Sequence, residues 1–269
     1  MSSHLAENNR ILSLDVFRGL TMALMVLVNS LGTRVSYPIL THAEWNGCSL
    51  ADLVFPGFLF IVGITTVISL KKHKDMESKA QLYRSILTRT FLLIFFGLLL
   101  NVFPNKLNLS TIRYYGILQR IGVCYFICSL LYLHTSVRAQ ILTFLGILIG
   151  YWFLLTQIPV PGAEADPLSI AKNWVAYIDS QIFSSGHLFN KTYDPEGFLS
   201  TIPAIATTIS GLLTGHFLLT PISKQKKSAI LIAMGLLFLL LAWIWSYNFP
   251  INKNLWTSTF VLWSSGFSL

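Results

Sequence analysis

Within ten residues of His42 lie Glu44, Trp45, Asn46 and Asp52. An imidazole among carboxylates can serve near neutral pH as a general base or as a nucleophile, while a carboxylate holds its tautomer. Asp52 and Glu44 are both candidates for that second task. Upstream, Asp15 and Arg18 stand three residues apart, so on a helix they share a face and can pair. The plain reading is a structural ion pair; the chemical one is an anion site. Asn29 follows Arg18 by eleven residues, about three helical turns, and faces roughly the same way. The three form one polar stripe. Gln119 and Arg120 sit at the start of an apolar stretch, where a buried arginine needs carbonyls or a counter-charge, and Asp52 or the Asp194 and Glu196 pair are the candidates. Asn252 and Lys253 precede Trp256, although lysine and tryptophan are also ordinary anchors at a membrane surface. The cysteines Cys48, Cys124 and Cys128 give neither a disulfide framework nor a zinc spacing, so no metal is expected.

These groups have to be positioned by a chain that is 54% hydrophobic and only 11% charged. Soluble domains carry ~25% charged residues, and this chain has too few to cover a water-facing surface. Eight apolar stretches stand out: Ile11–Leu31, Leu50–Leu70, Leu87–Phe103, Tyr114–Leu133, Ala139–Ile158, Phe198–Leu219, Ser228–Tyr247 and Leu255–Leu269. All but the last have the length to cross a hydrocarbon core as a helix. Because the runs are continuous rather than alternating, helices are favoured over barrel strands. The expected fold is an all-α polytopic transmembrane bundle of seven full spans and an incomplete eighth, over residues 1–269. Gly146 with Gly150, and Gly211 with Gly215, mark two faces where helices can approach closely.

The net charge of +8 does not point to nucleic acid, because the basic residues fall in short clusters between apolar blocks. With the amino terminus in the cytoplasm, eleven Lys and Arg lie inside and six outside, which favours that orientation. Two external segments then stand out, Gly32–Ser49 and the long loop at 159–197. The weak pattern over Pro167–Ile182 suggests a short helix on the external surface. Asn108 and Asn190 lie in external glycosylation patterns, which matter only in a eukaryotic host. The chain stops in apolar sequence at Leu269, which suggests a fragment or truncated product.

Six segments, in order, resemble one known family: Ser13-Leu-Asp-Val-Phe-Arg-Gly19, His42-Ala-Glu-Trp-Asn-Gly47, Asp52-Leu-Val-Phe-Pro56, Gly116-Ile-Leu-Gln-Arg120, Tyr193-Asp-Pro-Glu-Gly197 and Asn252-Lys-Asn-Leu-Trp256. The family is that of heparan-alpha-glucosaminide N-acetyltransferase. The resemblance implies a multi-pass enzyme that takes acetyl from cytosolic acetyl-CoA, a co-substrate, and delivers it to an amino sugar across the membrane. It places the catalytic histidine at His42 and a companion asparagine at Asn29; Asp52 joins them as the candidate carboxylate that orients the imidazole. Substrate or CoA binding is expected from Asp15, Arg18, Trp45, Asn46, Gln119, Arg120, Asp194, Glu196, Asn252 and Lys253. A bacterial-type member in the inner membrane is expected, roughly three family spans short, with a homodimer as a possible assembly. The acceptor, amine or hydroxyl, stays open. Two other readings remain: a sugar transporter or flippase, to which intramembrane charges are equally suited, and an inactive truncated fragment. Against the transporter, the halves show no internal repeat.

Overall fold

In the computed structural model, the residues described are 11–30, 37–74, 78–103, 112–162, 166–189 and 191–269. Among them are nine α-helices: α1 Leu12–Asn29, α2 Leu50–Lys74, α3 Lys79–Val102, α4 Ile117–His134, α5 Val137–Gln157, α6 Trp174–Ile182, α7 Phe198–Leu218, α8 Lys224–Trp245 and α9 Ser258–Ser268. Seven of these, all but α6 and α9, are long and apolar enough to cross a bilayer. The chain is a multi-pass helical membrane protein. Its outer surface confirms the solvent it is built for. Phe91, Phe95 and Leu100 of α3, Leu142 and Ile149 of α5, and Ile232, Leu236 and Trp243 of α8 are all exposed. A belt of this size on several helices would aggregate in water and is at home in lipid.

Several helices run past the apolar runs that announce them, because polar turns continue them beyond the hydrocarbon. α3 begins eight residues before the expected Leu87, where Ser78 and Gln81 form a reciprocal cap. α8 begins at Lys224 behind a Ser223 cap rather than at Ser228. The last helix is shorter than expected: Thr257 caps it by accepting from the Phe260 amide, so residues before Ser258 form a turn instead. The short helix expected within Pro167–Ile182 is α6, capped by Asn173.

α2 and α7 form the centre. α7 carries Ala204, Ala206, Thr207, Thr208, Ser210, Gly211 and Gly215 along its buried faces, small side chains that let neighbours come close. A Cβ placed on Gly63 would lie 2.1 Å from the Thr208 carbonyl oxygen, and one on Gly211 would lie 2.0 Å from that of Phe60. The two backbones therefore touch, as small residues allow in membranes. The Gly211 and Gly215 face is used as expected. The Gly146 and Gly150 face is not: a Cβ on either meets nothing within 4 Å among the described residues. Around this centre α3 pairs with α4, α8 with α9, α5 covers α7, and α1 leans on α2. Hydroxyls stitch α9 into place: Ser210 and Ser265 bond at 2.8 Å, and Ser258 donates to the Leu148 carbonyl at 2.7 Å.

Helices alternate in direction, so the described parts of four connecting segments gather at one end of the bundle: 37–49, 112–116, 158–197 and 246–257. Most of the polar residues singled out in the sequence meet there.

Candidate active site

Asp52 occupies the first turn of α2, where the helix dipole favours a carboxylate. Its Oδ2 accepts from the Ser49 amide at 3.0 Å, the Ser49 hydroxyl at 3.1 Å and the Ala43 amide at 3.1 Å. These bonds fold the 43–49 loop over the helix start and bring His42 back to Oδ1. His42 Nδ1 lies 2.7 Å from Asp52 Oδ1. Lys253 Nζ lies 3.2 Å from the same oxygen and 3.1 Å from the same ring nitrogen. An ammonium has only donors, and an ionised carboxylate only acceptors. The 2.7 Å contact therefore assigns the proton to Nδ1, donated to Asp52. Lys253 then donates to Asp52 and meets the ring as a charge. Nε2 has no hydrogen-bond partner among the described residues, on a side chain 53% exposed above a carboxylate that is 1% exposed. Asp52, not Glu44, holds the tautomer; Glu44 is exposed.

Lys253 reaches this point because a distant segment is laid alongside the histidine loop. Gly47 and Asn252 form a parallel bridge, with the Gly47 amide donating to the Ile251 carbonyl at 2.7 Å. Asn252 Nδ2 donates to Asn46 Oδ1 at 3.1 Å, and its own Oδ1 accepts from the Leu255 amide at 2.9 Å. Gly47 stands at φ +111°, where glycine alone is at ease. Trp45 donates its indole N–H to the Leu168 carbonyl at 2.9 Å and meets Tyr193 edge-on at 5.3 Å, tying in the long loop. Cys48 is no rival nucleophile: burial, with the Asp52 charge behind it and Lys253 opposing, pushes its thiol up to about 12.

The acids of the long loop belong to a second cluster. Arg113, between α3 and α4, donates through Nε to Asp194 Oδ2 at 2.7 Å and through Nη2 to both Asp194 and Glu196. Its guanidinium also lies 4.7 Å from the Phe189 ring centre. Burial works against this charge, but the two carboxylates outweigh it and hold Arg113 above its ordinary range. Asp179 of α6 accepts from the Phe198 amide at 2.9 Å, capping α7, and from the Asp194 amide at 3.4 Å. Burial raises its carboxyl, against those two amides, to about 6.

Arg120 is therefore hydrogen-bonded to neither of the counter-charges expected for it, although Glu196 and Asp194 lie close enough to act on its charge. Asp52 is committed to His42 and Lys253, and Asp194 with Glu196 to Arg113. Instead Arg120 donates to the Gly197 carbonyl at 3.0 Å and to the Ser200 hydroxyl, with its guanidinium 5.0 Å from the Trp256 ring centre. Its Nε and Nη1 have no partner among the described residues. Gln119 packs its amide against Gly97 and Gly116, closing α3 onto α4. The polar stripe of α1 is not drawn into this assembly. Asp15 and Arg18 pair at 3.3 Å with side chains 46% and 40% exposed, and Asn29 is exposed at the helix end. Arg113 was missed in the sequence. Its only signal in the sequence was its place three residues before the Gly116 motif. Asn108 and Asn190 lie outside the described residues.

The profile of the family described as heparan-alpha-glucosaminide N-acetyltransferase, catalytic, matches residues 10–258. The Homo sapiens protein named heparan-alpha-glucosaminide N-acetyltransferase is 32% identical over 96% of this chain and 47% of its own length. The Mus musculus protein of the same name is 32% identical over 94% of this chain and 47% of its own. The chain spans about half the length of these curated relatives.

Proposed function

Because the chain belongs to the heparan-alpha-glucosaminide N-acetyltransferase family, we propose that it is a membrane-embedded acetyltransferase acting through His42. The donor is acetyl-CoA from the cytosolic side, and the acceptor is an amino sugar, or a sugar hydroxyl, on the other. The observation that carries this reading is a histidine whose Nδ1 is held by a buried carboxylate and whose Nε2 has no partner among the described residues. That is the arrangement of a base or nucleophile. In the direct route Nε2 takes the proton of the attacking amine as nitrogen bonds to the acetyl carbon and the carbon–sulfur bond breaks; the CoA thiolate leaves and is then protonated. In the stepwise route Nε2 itself bonds to the acetyl carbon and expels the thiolate; the amine later attacks that carbon, the Nε2–carbon bond breaks, and the freed Nε2 takes the proton the amine loses. The family resemblance assigns Asn29 the donor to the carbonyl oxygen as charge develops there; in this structure it is exposed at the end of α1, outside the His42–Asp52–Lys253 cluster.

At the opposite end of the bundle a groove of about 710 Å³ opens between α1, α2, α7, α8 and the end of α9, with Lys224, Lys227, Ser13, Phe17 and Leu269 among its lining residues. Its size suits part of a large ligand, and its lysines suit phosphates. This supports entry of CoA from the end that carries most of the basic residues, which is the cytoplasmic side in this reading. The membrane is then the plasma membrane, the inner one of a bacterial cell. Trp45 and the exposed Asn46 of the same loop would meet the acceptor on its way to His42, while the buried Asn252 holds Asn46 in place.

The test is release of CoA by the purified chain in nanodiscs, with acetyl-labelled donor and glucosamine. His42→Ala is expected to slow it at least ~10²-fold without changing the melting temperature by more than a few degrees. Release at the wild-type rate from that variant removes His42 from the reaction. A single turnover without acceptor separates the routes: a labelled His42 peptide marks the stepwise one.

A further inference from the structure

Resting on the reading that His42 is the reacting group, we infer that Lys253 is a positioning residue that keeps the ring singly protonated by balancing the charge of Asp52. Sequence alone suggested that Lys253 binds substrate, and its geometry argues for a different task. Its ammonium is already engaged with Asp52 Oδ1 at 3.2 Å, and its side chain is only 17% exposed. Its backbone is fixed on both sides, by the neighbouring bridge of Asn252 to Gly47 and by its carbonyl, which accepts the Trp256 amide at 3.0 Å. A cation so restrained is poorly placed to follow a mobile substrate.

The charge balance at the ring explains why it is there. Asp52 from α2 faces Nδ1 at 2.7 Å, and Lys253 from the 246–257 turn faces it at 3.1 Å. The remaining charged neighbour on the ring's own loop, Glu44, is exposed to solvent. A buried carboxylate alone would draw a second proton onto the imidazole. The resulting imidazolium has no lone pair and can neither accept a proton nor attack a carbonyl. With Lys253 present, charging the ring sets two cations within hydrogen-bond distance, and their repulsion offsets most of the carboxylate's attraction. The carboxylate can then orient the ring without protonating it.

Diethyl pyrocarbonate acylates the neutral imidazole only, and mass spectrometry of the His42 peptide reads its extent without calling on acetyl transfer. The full chain in nanodiscs is labelled across pH as wild type, Lys253→Met, Lys253→Gln and Lys253→Arg. In both neutral variants the midpoint of His42 labelling is expected to move to higher pH by about one pH unit, since one adjacent cation is removed. Lys253→Arg keeps the charge and is expected to stay near the wild type. The half-buried His187, which bonds to the Ile112 carbonyl, serves as internal control and keeps its wild-type profile if the fold is intact. The acid limb of CoA release should move with the His42 midpoint. Coincident His42 midpoints in wild type and either neutral variant overturn the inference. So does an unmoved midpoint with a raised KM for donor or acceptor, which makes Lys253 a binding residue. A shifted midpoint in a chain that releases no CoA as wild type supports the role of Lys253 and counts against the proposed activity instead.

Discussion

Three carboxylates at the loop end are almost wholly buried, and each is kept there by different means. Asp52 has three donors on one oxygen and His42 with Lys253 on the other. Asp194 has Arg113 and the amides of Phe189 and Glu196. Asp179 has two backbone amides and no cation hydrogen-bonded to it among the described residues, and it is the one raised to about 6. An acid whose native carboxyl lies above its unfolded value binds more protons folded than unfolded between the two. Its ionisation therefore removes stability as pH climbs through that window, and the loss is complete above about 6. Asp179→Asn keeps an acceptor for the Phe198 amide and cannot ionise. Its melting temperature is expected to gain on the wild type as pH rises from about 4 to about 7, by an amount on the order of 2 kcal/mol in stability. A difference that stays constant over that range, measured by thermal scans in detergent, would show that Asp179 is not the source. At this scale the sequence was readable where partners are close in the chain, as with His42 and Asp52. It was silent on the pairing of Arg113 with Asp194, which are 81 residues apart and brought together by the packing of α4 against α7 and of the 112–116 segment against the long loop.

Helices were legible as apolar lengths, and seven of the eight expected stretches became spans. Their ends were not, because the capping groups Ser78, Ser223 and Thr257 lie in polar turns that a search for apolar runs passes over. Glycine spacing was half informative for a similar reason. A small-residue pair permits a close crossing, but only the partner helix decides whether one forms. α2 meets Gly211 with its own Gly63, whereas the face bearing Gly146 and Gly150 meets no described helix. Gly211→Ala is thus expected to force α2 and α7 apart and cost about 1–3 kcal/mol, as overpacking does. Gly146→Ala should change stability by under about 0.5 kcal/mol, as at open surface sites. Chemical unfolding of the two variants side by side checks the contrast, and equal losses would show that the α2–α7 crossing is not the tight one.

For the whole molecule, the class of fold followed from charge and hydropathy alone, since a chain with so little charge has only lipid to face. The site did not, because it is assembled from loops whose meeting depends on how the spans are threaded. The orientation of the bundle is open to direct measurement. In a variant with Cys48, Cys124 and Cys128 replaced by Ser, a cysteine at Lys172 is expected to react with an impermeant maleimide from the external side of intact cells. One at Lys226 should react only after the cells are opened; the reverse pattern would invert the proposed direction of transfer. The parallel bridge of Gly47 to Asn252 carries a consequence for how such a chain is made. Ribosomes deliver His42 and Asp52 early and Lys253 more than two hundred residues later, after the helices between them have been inserted. Until then the histidine loop lacks both the segment it docks on and the Lys253 ammonium beside Asp52. A half-made chain in the membrane thus lacks the assembled His42–Asp52–Lys253 cluster, which is complete only once the segment after α8 has docked on the histidine loop.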